Sequence, residues 1–203
     1  MALTLLGGIA RGLALDVPKG DTVRPTSVML RRKIFDAHQD LSNVTFIDLC
    51  AGTGAIGFEA WSRGAESLYL VEADAKTYKQ LLLNIKKINS RFSEDSKERM
   101  IVSRQAKAVQ WLSQFRQEYE RWDLAKQQET ILFLDPPYEK KSIYQEIVTF
   151  ALRDWFCGRL WIESDRQKGL ASEYWQPWES QFAKTYFQGT SYIAILDLRE
   201  SLG

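Results

Sequence analysis

Histidine is almost missing from this chain of 203 residues, which carries one, His38. A mechanism built on imidazole bases or on a histidine metal centre therefore has little to work with, and no metal is expected. His38 itself stands in a polar His-Gln-Asp segment and is expected to be a solvated helix residue. Cysteine is scarce too. Cys50 and Cys157 fall in different predicted elements and match neither a zinc spacing nor a disulfide framework, so both are expected to be small buried residues in a reducing cytoplasm. No charge of one sign dominates: the formal net charge is +1, which leaves no basic tail to announce nucleic acid and confines any polyanion site to a local patch. Long apolar runs are absent as well. The opening MALTLLGGIARG has only a brief apolar stretch without a basic start, too short for a signal segment or a membrane span, and the expectation is a cytoplasmic protein without membrane contact.

What is present is the composition of a soluble globular protein, 45% hydrophobic and 26% charged. The length suits one domain over residues 1–203, with an arm or hairpin at 1–23 and a core at 24–203. In the arm, turns are expected at Gly7-Gly8 and over residues 18–21. A helix is predicted from Thr26 or Ser27, either of which can cap it, to about His38, with Arg31, Arg32 and Lys33 in a charge run that by itself reads as a solvated face. Strands are predicted over residues 44–49, 67–71, 100–103, 131–134 and 160–164, each followed or preceded by an amphipathic helix. Residues 90–98 and 122–130 read as polar connections, and residues 182–187 and 191–198 as a closing antiparallel hairpin turning at Gln188-Gly189-Thr190. Packing of these last strands is the expected use of Trp175 and Trp178. Strands that alternate with helices and then end in two consecutive strands predict an α/β fold, a mostly parallel sheet with an antiparallel edge.

Two stretches carry chemistry. The run ILFLDPPY at residues 131–138 reads as a strand buried on both faces and stopped by Pro136 and Pro137, which projects Asp135 and Tyr138 from the carboxyl edge of the sheet. A carboxylate and a backbone carbonyl there can accept the two N–H groups of an exocyclic amine and turn its lone pair out of ring conjugation, while an aromatic stacks on the base. The other stretch is CAGTGAIG at residues 50–57, directly after the strand that ends on Asp48. It lacks the Gly-Lys-Ser/Thr of a phosphate-gripping loop, and Gly52, Gly54 and Gly57 match the dinucleotide spacing only formally. Glu72, at the end of the second strand, can accept from both hydroxyls of a ribose, and Asp48 can take up a cationic or amino-bearing ligand end. That pair suits S-adenosylmethionine, a nucleoside with a sulfonium, an ammonium and no pyrophosphate. In the plainer reading Glu72 and Asp74 only cap a helix.

The order and spacing of GGIARG, RPT, DLCAGTGAIG, EAD and DPPY, from Gly7 to about Ser164, resemble the bacterial RsmD family of class I methyltransferases, guanine-N2 enzymes of 16S ribosomal RNA. The resemblance implies a Rossmann-like, mostly parallel seven-stranded sheet with an antiparallel C-terminal strand and helices on both faces. It places Asp48, Cys50, Ala51, Gly52, Thr53, Gly54 and Gly57 along the methionine and loop side of S-adenosylmethionine, Glu72 and Ala73 at the ribose, and Gln105 and Ala106 beside the adenine. Asp135, Pro136, Pro137 and Tyr138 would hold the target amine, and Arg11, Arg24, Thr26 and Arg31 the RNA, as naked 16S rRNA or a small-subunit assembly particle met by a monomer. DNA adenine-N6 enzymes share DPPY alone; a catalytically idle RNA-binding or assembly factor and a nicotinamide oxidoreductase are the other readings. Leu13, Ala14, Met29, Arg32 and Gln105 depart from the family pattern, and the connection before Ile131 is long for it.

Overall fold

The computed structural model describes residues 3–17, 28–151, 153 and 155–199. Its centre is two short strands, β3 (Thr45–Asp48) and β6 (Thr130–Leu134), in which every residue is buried. Both are rich in β-branched and large apolar side chains, as strands covered on two faces must be. They pair in parallel, Asp48 opposite Phe133. On the far side of β3 follow β4 (Ser67–Glu72) and β5 (Met100–Gln105), and on the far side of β6 follows β7 (Arg159–Asp165). The chain therefore leaves β3 in one direction and returns across it to β6, which makes the carboxyl ends of those two strands the switch point of the sheet and opens a crevice there.

The closing hairpin, β8 (Phe182–Gln188) and β9 (Ser191–Asp197), inserts β9 antiparallel against β7 and leaves β8 outermost. Its turn runs through Gly189 at φ +60°, a conformation that needs glycine. The resulting order is β5-β4-β3-β6-β7-β9-β8: seven strands with the C-terminal strand antiparallel, as expected, but inserted between β7 and β8 rather than standing at the edge.

Helices cover both faces. On one side α1 (Val28–Ala37), α2 (Ala55–Ser62) and α3 (Ala75–Arg91) enclose a core holding Trp61, Trp161, Phe46 and Phe133; on the other α5 (Ala108–Tyr119) and α7 (Lys141–Ala151) enclose one around Tyr119, Tyr144 and Leu132. Removing side chains of this size from water contributes about 1.5–3 kcal/mol each, so the two aromatic layers fix the sheet between them. Asp74 caps α3, its carboxylate accepting from the Thr77 amide at 2.8 Å.

Several sequence expectations change. Residues 90–98 are not a loop: α3 runs on to Arg91 and a short helix, α4 (Ser93–Glu98), follows, with Glu94 and Asp95 at its positive end and Lys97 bonded to Glu94 at 2.8 Å. The connection before β6 likewise contains a short helix, α6 (Leu124–Gln128), capped by Asp123 accepting from the Lys126 amide. Cys157 is buried, but Cys50 is only partly so. His38 is half-buried, bonded to the Ile34 carbonyl at 2.9 Å, because Trp161 of β7, its ring 4.8 Å away, and Tyr186 of β8, 6.3 Å away, pack against the end of α1. Trp175 lies in a stretch of 3-10 helix (Ser172–Gln181) and donates to the Tyr192 hydroxyl at 2.9 Å, which ties this segment to β9.

The arm is a small hairpin, β1 (Leu3–Thr4) against β2 (Ala14–Leu15), seated on α2. Ser62 accepts the Ala10 amide and donates to the Gly7 carbonyl, and the Glu59 carboxylate accepts the Leu6 amide at 2.7 Å. The turn expected at residues 18–21 and the N-terminal start of the first helix lie outside the described residues. Among the described residues no helix is long and apolar enough to cross a membrane.

Candidate functional site

The switch-point crevice gathers three acids. Asp48 ends β3 with 1% of its surface exposed; its Oδ2 accepts the Gly57 amide at 3.2 Å, and its Oδ1 has no hydrogen-bond partner among the described residues. Burial first, and the charge of Asp135 second, push its carboxyl up to about 8, the Cys50 and Gly57 amides offsetting this only in part. Glu72 ends β4, half-buried, and holds the glycine loop from the side: its Oε2 accepts the Gly52 amide at 2.9 Å and its Oε1 the Asp74 amide at 2.7 Å. Asp135, partly buried, follows β6. Cys50 sits among all three, and burial of its thiol together with the charges of Asp135, Asp48 and Glu72 drives its pKa upward, which disfavours the thiolate.

The loop's backbone explains its glycines. Gly52 and Gly54 have φ +56° and +93°, where side chains are strained, and a Cβ on Gly57 would run into Leu70 and Leu68 of β4, so only glycine lets α2 start this close to the sheet. The amide at the start of α2 is already taken by the Asp48 carboxyl, and an acid standing there occupies the place a pyrophosphate would need. The loop thus fits a nucleoside without phosphates better than a dinucleotide. Ala51 and Thr53 are buried within it. Gln105 and Ala106 lie beside Glu72 across the β4–β5 pair, the Ala106 amide donating to the Glu72 carbonyl, with Gln105 and Ala73 exposed.

The structure brings the acceptor segment to the same crevice. Pro136 is buried, Pro137 exposed, and the Pro136 carbonyl is bonded by the Tyr144 hydroxyl at 3.1 Å. The same hydroxyl lies 2.9 Å from the Glu163 carbonyl on β7 and locks the end of β6 to its neighbour. Tyr138 does not project into solvent as the sequence suggested: it is 8% exposed, and its hydroxyl is 3.4 Å from Glu163 Oε1. The apolar floor of β6 and β7 offers the ring more buried area than solvent does.

Of the cations expected at RNA, Arg11 is exposed on the arm, while Arg24 and Thr26 lie outside the described residues. Arg31 is corrected. It is 1% exposed, its Nη2 donating to the Thr4 carbonyl at 2.7 Å, and burial lowers its pKa despite the nearby Glu59. In this structure it braces the hairpin rather than facing phosphates.

Three residues that sequence reasoning passed over belong to the site. Tyr144 and Glu163 show nothing in the sequence beyond a place in a helix and in a buried strand. Asn84, fully buried on α3, donates to the Asp16 and Thr53 carbonyls at 3.0 Å each and accepts the Asp16 amide, linking the arm to the glycine loop. Its position on the apolar face of α3, between Leu81 and Ile88, was the available signal. Among the described residues no group of three or more His, Cys, Asp or Glu side chains is placed to hold a metal ion.

Comparison with known proteins adds to this geometry. A family model described as Conserved hypothetical protein 95 matches residues 3–192. The ribosomal RNA small subunit methyltransferase D of Escherichia coli K12 is 26% identical over 171 residues, covering 83% of this chain and 77% of that protein. The protein of the same description in Haemophilus influenzae is 27% identical over 179 residues, covering 84% and 83%. Among solved structures, the yhhF protein of Escherichia coli superposes with a TM-score of 0.70 at 21% identity over 98% of this chain and 100% of that one. An RNA methyltransferase of Salinibacter ruber, in complex with S-adenosyl-L-homocysteine, superposes with a TM-score of 0.51 at 15% identity, covering 87% and 94%.

Proposed function

The chain belongs to the Conserved hypothetical protein 95 family, and on that basis we propose that it is an S-adenosylmethionine-dependent methyltransferase of an exocyclic amine in RNA, guanine N2 of 16S ribosomal RNA. One observation carries the reading. The pairing of β3 with β6 sets the acid that follows the amine-clamping strand beside the buried acid that precedes the glycine loop, so a nucleoside cofactor and a base amine would meet at one sheet edge.

The residues fit the cofactor. Glu72 keeps lone pairs for two ribose hydroxyls while both its oxygens accept backbone amides, and the partnerless Oδ1 of Asp48 suits a cationic ligand end. When bound, S-adenosylmethionine supplies an electrophilic methyl group on a cationic sulfur, which departs as a neutral thioether. The chain's own residues orient the acceptor. The Asp135 carboxylate and the Pro136 carbonyl accept the two amine hydrogens, which holds the nitrogen out of ring conjugation and aims its lone pair. As the N–C bond forms and the S–C bond breaks, the surplus proton on nitrogen passes to Asp135 or to water. Tyr138 stacks on the extruded base after its hydroxyl leaves Glu163. Arg11, exposed on the arm, would approach the RNA phosphates.

Replacement Asp135→Ala tests this directly. Transfer to RNA should fall by at least about 100-fold, the usual loss when one positioned polar group is removed from a transition state. Cofactor affinity measured by calorimetry should stay within a few-fold of the native value. A variant that still methylates at the native rate would overturn the mechanism.

A further inference from the structure

The mechanism above uses Asp135, the Pro136 carbonyl and Tyr138, and leaves one buried acid at the same edge without a role. Glu163 is 2% exposed and stands on β7, the strand next to β6. The last paired residues of the two strands are Leu134 and Ile162, so one further step brings Asp135 level with Glu163 on strands about 4.8 Å apart. The Tyr144 hydroxyl, within hydrogen-bond reach of both the Pro136 and Glu163 carbonyls, keeps the two strand ends together. The Glu163 carboxylate meets the Tyr138 hydroxyl at 3.4 Å, longer than an ordinary O–H···O bond and correspondingly easy to exchange.

We propose that Glu163 is the specificity-determining residue of the amine pocket, its carboxylate accepting the N1–H of guanine while Asp135 and the Pro136 carbonyl hold the N2 amine, and that the Tyr138 hydroxyl stands in for that N1–H when no base is bound. The assignment rests on the amine-methyltransferase reading of this site. Its chemistry is specific. Guanine carries a donor at N1 beside its exocyclic amine, whereas adenine carries an acceptor at N1 beside its own. A carboxylate at that point bonds the first and repels the lone pair of the second, and burial strengthens both effects. The placeholder also accounts for the buried Tyr138 ring. Departure of the tyrosine to stack on the base would uncover Glu163 Oε1, whose lost hydrogen bond the incoming N1–H replaces, so the exchange keeps that oxygen paired.

The experiment uses the full chain with S-adenosylmethionine and an RNA carrying the mapped target, with either guanine or 2-aminopurine at that position. 2-Aminopurine keeps the C2 amine and lacks the N1 proton. The native protein should methylate the guanine RNA roughly 10- to 100-fold faster, the discrimination one well-placed base contact supplies. In Glu163→Gln the carboxamide can donate to an unprotonated N1, and the ratio should collapse to within a few-fold. A Glu163→Gln protein that keeps the native ratio overturns the assignment while leaving the methyltransferase reading intact. So does a native protein that accepts both bases equally, a result that does not depend on the variant folding. A native protein that transfers no methyl group to the guanine RNA would overturn the underlying reading as well.

Discussion

Asp48 links the stability of this protein to pH in a direction opposite to that of most carboxylates. Its carboxyl, pushed up to about 8 by burial and by Asp135, is neutral in the fold at neutral pH and ionised in the unfolded chain, whose ordinary value is 3.8. The folded state therefore binds the extra proton. The stability this group allows is greatest below its unfolded value and declines as pH rises toward about 8, by about 1.4 kcal/mol per pH unit. Asp48→Asn removes the titration while preserving shape and the acceptor for the Gly57 amide. Between about pH 5 and about pH 7 the native protein should lose about 3 kcal/mol relative to the variant, which for a chain of this size is roughly 6–12 °C in melting temperature. Circular-dichroism melts of both proteins without cofactor, taken across that range, read the difference. Native and variant curves that run parallel would refute the argument that Asp48 is held protonated. The same variant should bind S-adenosylmethionine more weakly, because it cannot supply the negative charge that a cationic ligand end would draw out.

Other expectations follow from single contacts. Glu72→Ala removes the acceptor for the Gly52 and Asp74 amides as well as the ribose ligand, so cofactor affinity by calorimetry should drop by at least about 100-fold, each of the two lost charged hydrogen bonds to the ribose being worth about 1.5–3 kcal/mol; unchanged binding would contradict the ribose role. Arg31→Ala should lower stability by about 1–3 kcal/mol, since it leaves the Thr4 carbonyl without its donor while Glu59 keeps its ion pair with Arg63, and proteolysis should then cut the N-terminal arm first. An Arg31→Ala protein of native stability but impaired RNA binding would instead restore Arg31 to the phosphates.

Much of the fold was legible because the strands around the site obey simple patterns. The unbroken apolar run of β6 and its stop at Pro136 needed only strand and proline chemistry, whereas the switch point is visible only in the strand order of the folded sheet. What the sequence hid were side chains whose partners lie far along the chain. Arg31 reads as part of a basic run, yet it lies under the hairpin with Thr4 because β1 and β2 dock on α2. Tyr144 stands on the buried stripe of α7 with Ile147, Val148 and Ala151 and looks like core until its hydroxyl is placed on the carbonyls of Pro136, just past β6, and Glu163 on β7. Glu163, one polar letter inside a buried strand, becomes conspicuous only when β7 is set beside β6. The short helix Ser93–Glu98 escaped because it carries no apolar residue to set a periodicity and no side-chain cap, and only the acids Glu94 and Asp95 in its first turn mark it.

The central claim is that the crevice between β3 and β6 methylates the N2 amine of guanine in 16S ribosomal RNA. Small-subunit RNA from a strain lacking this protein, incubated with the purified chain and methyl-labelled S-adenosylmethionine and then digested to nucleosides, tests it most directly. The account predicts label in N2-methylguanosine, and none with Asp135→Ala. Label in N6-methyladenosine, or RNA bound without any transfer, would contradict it.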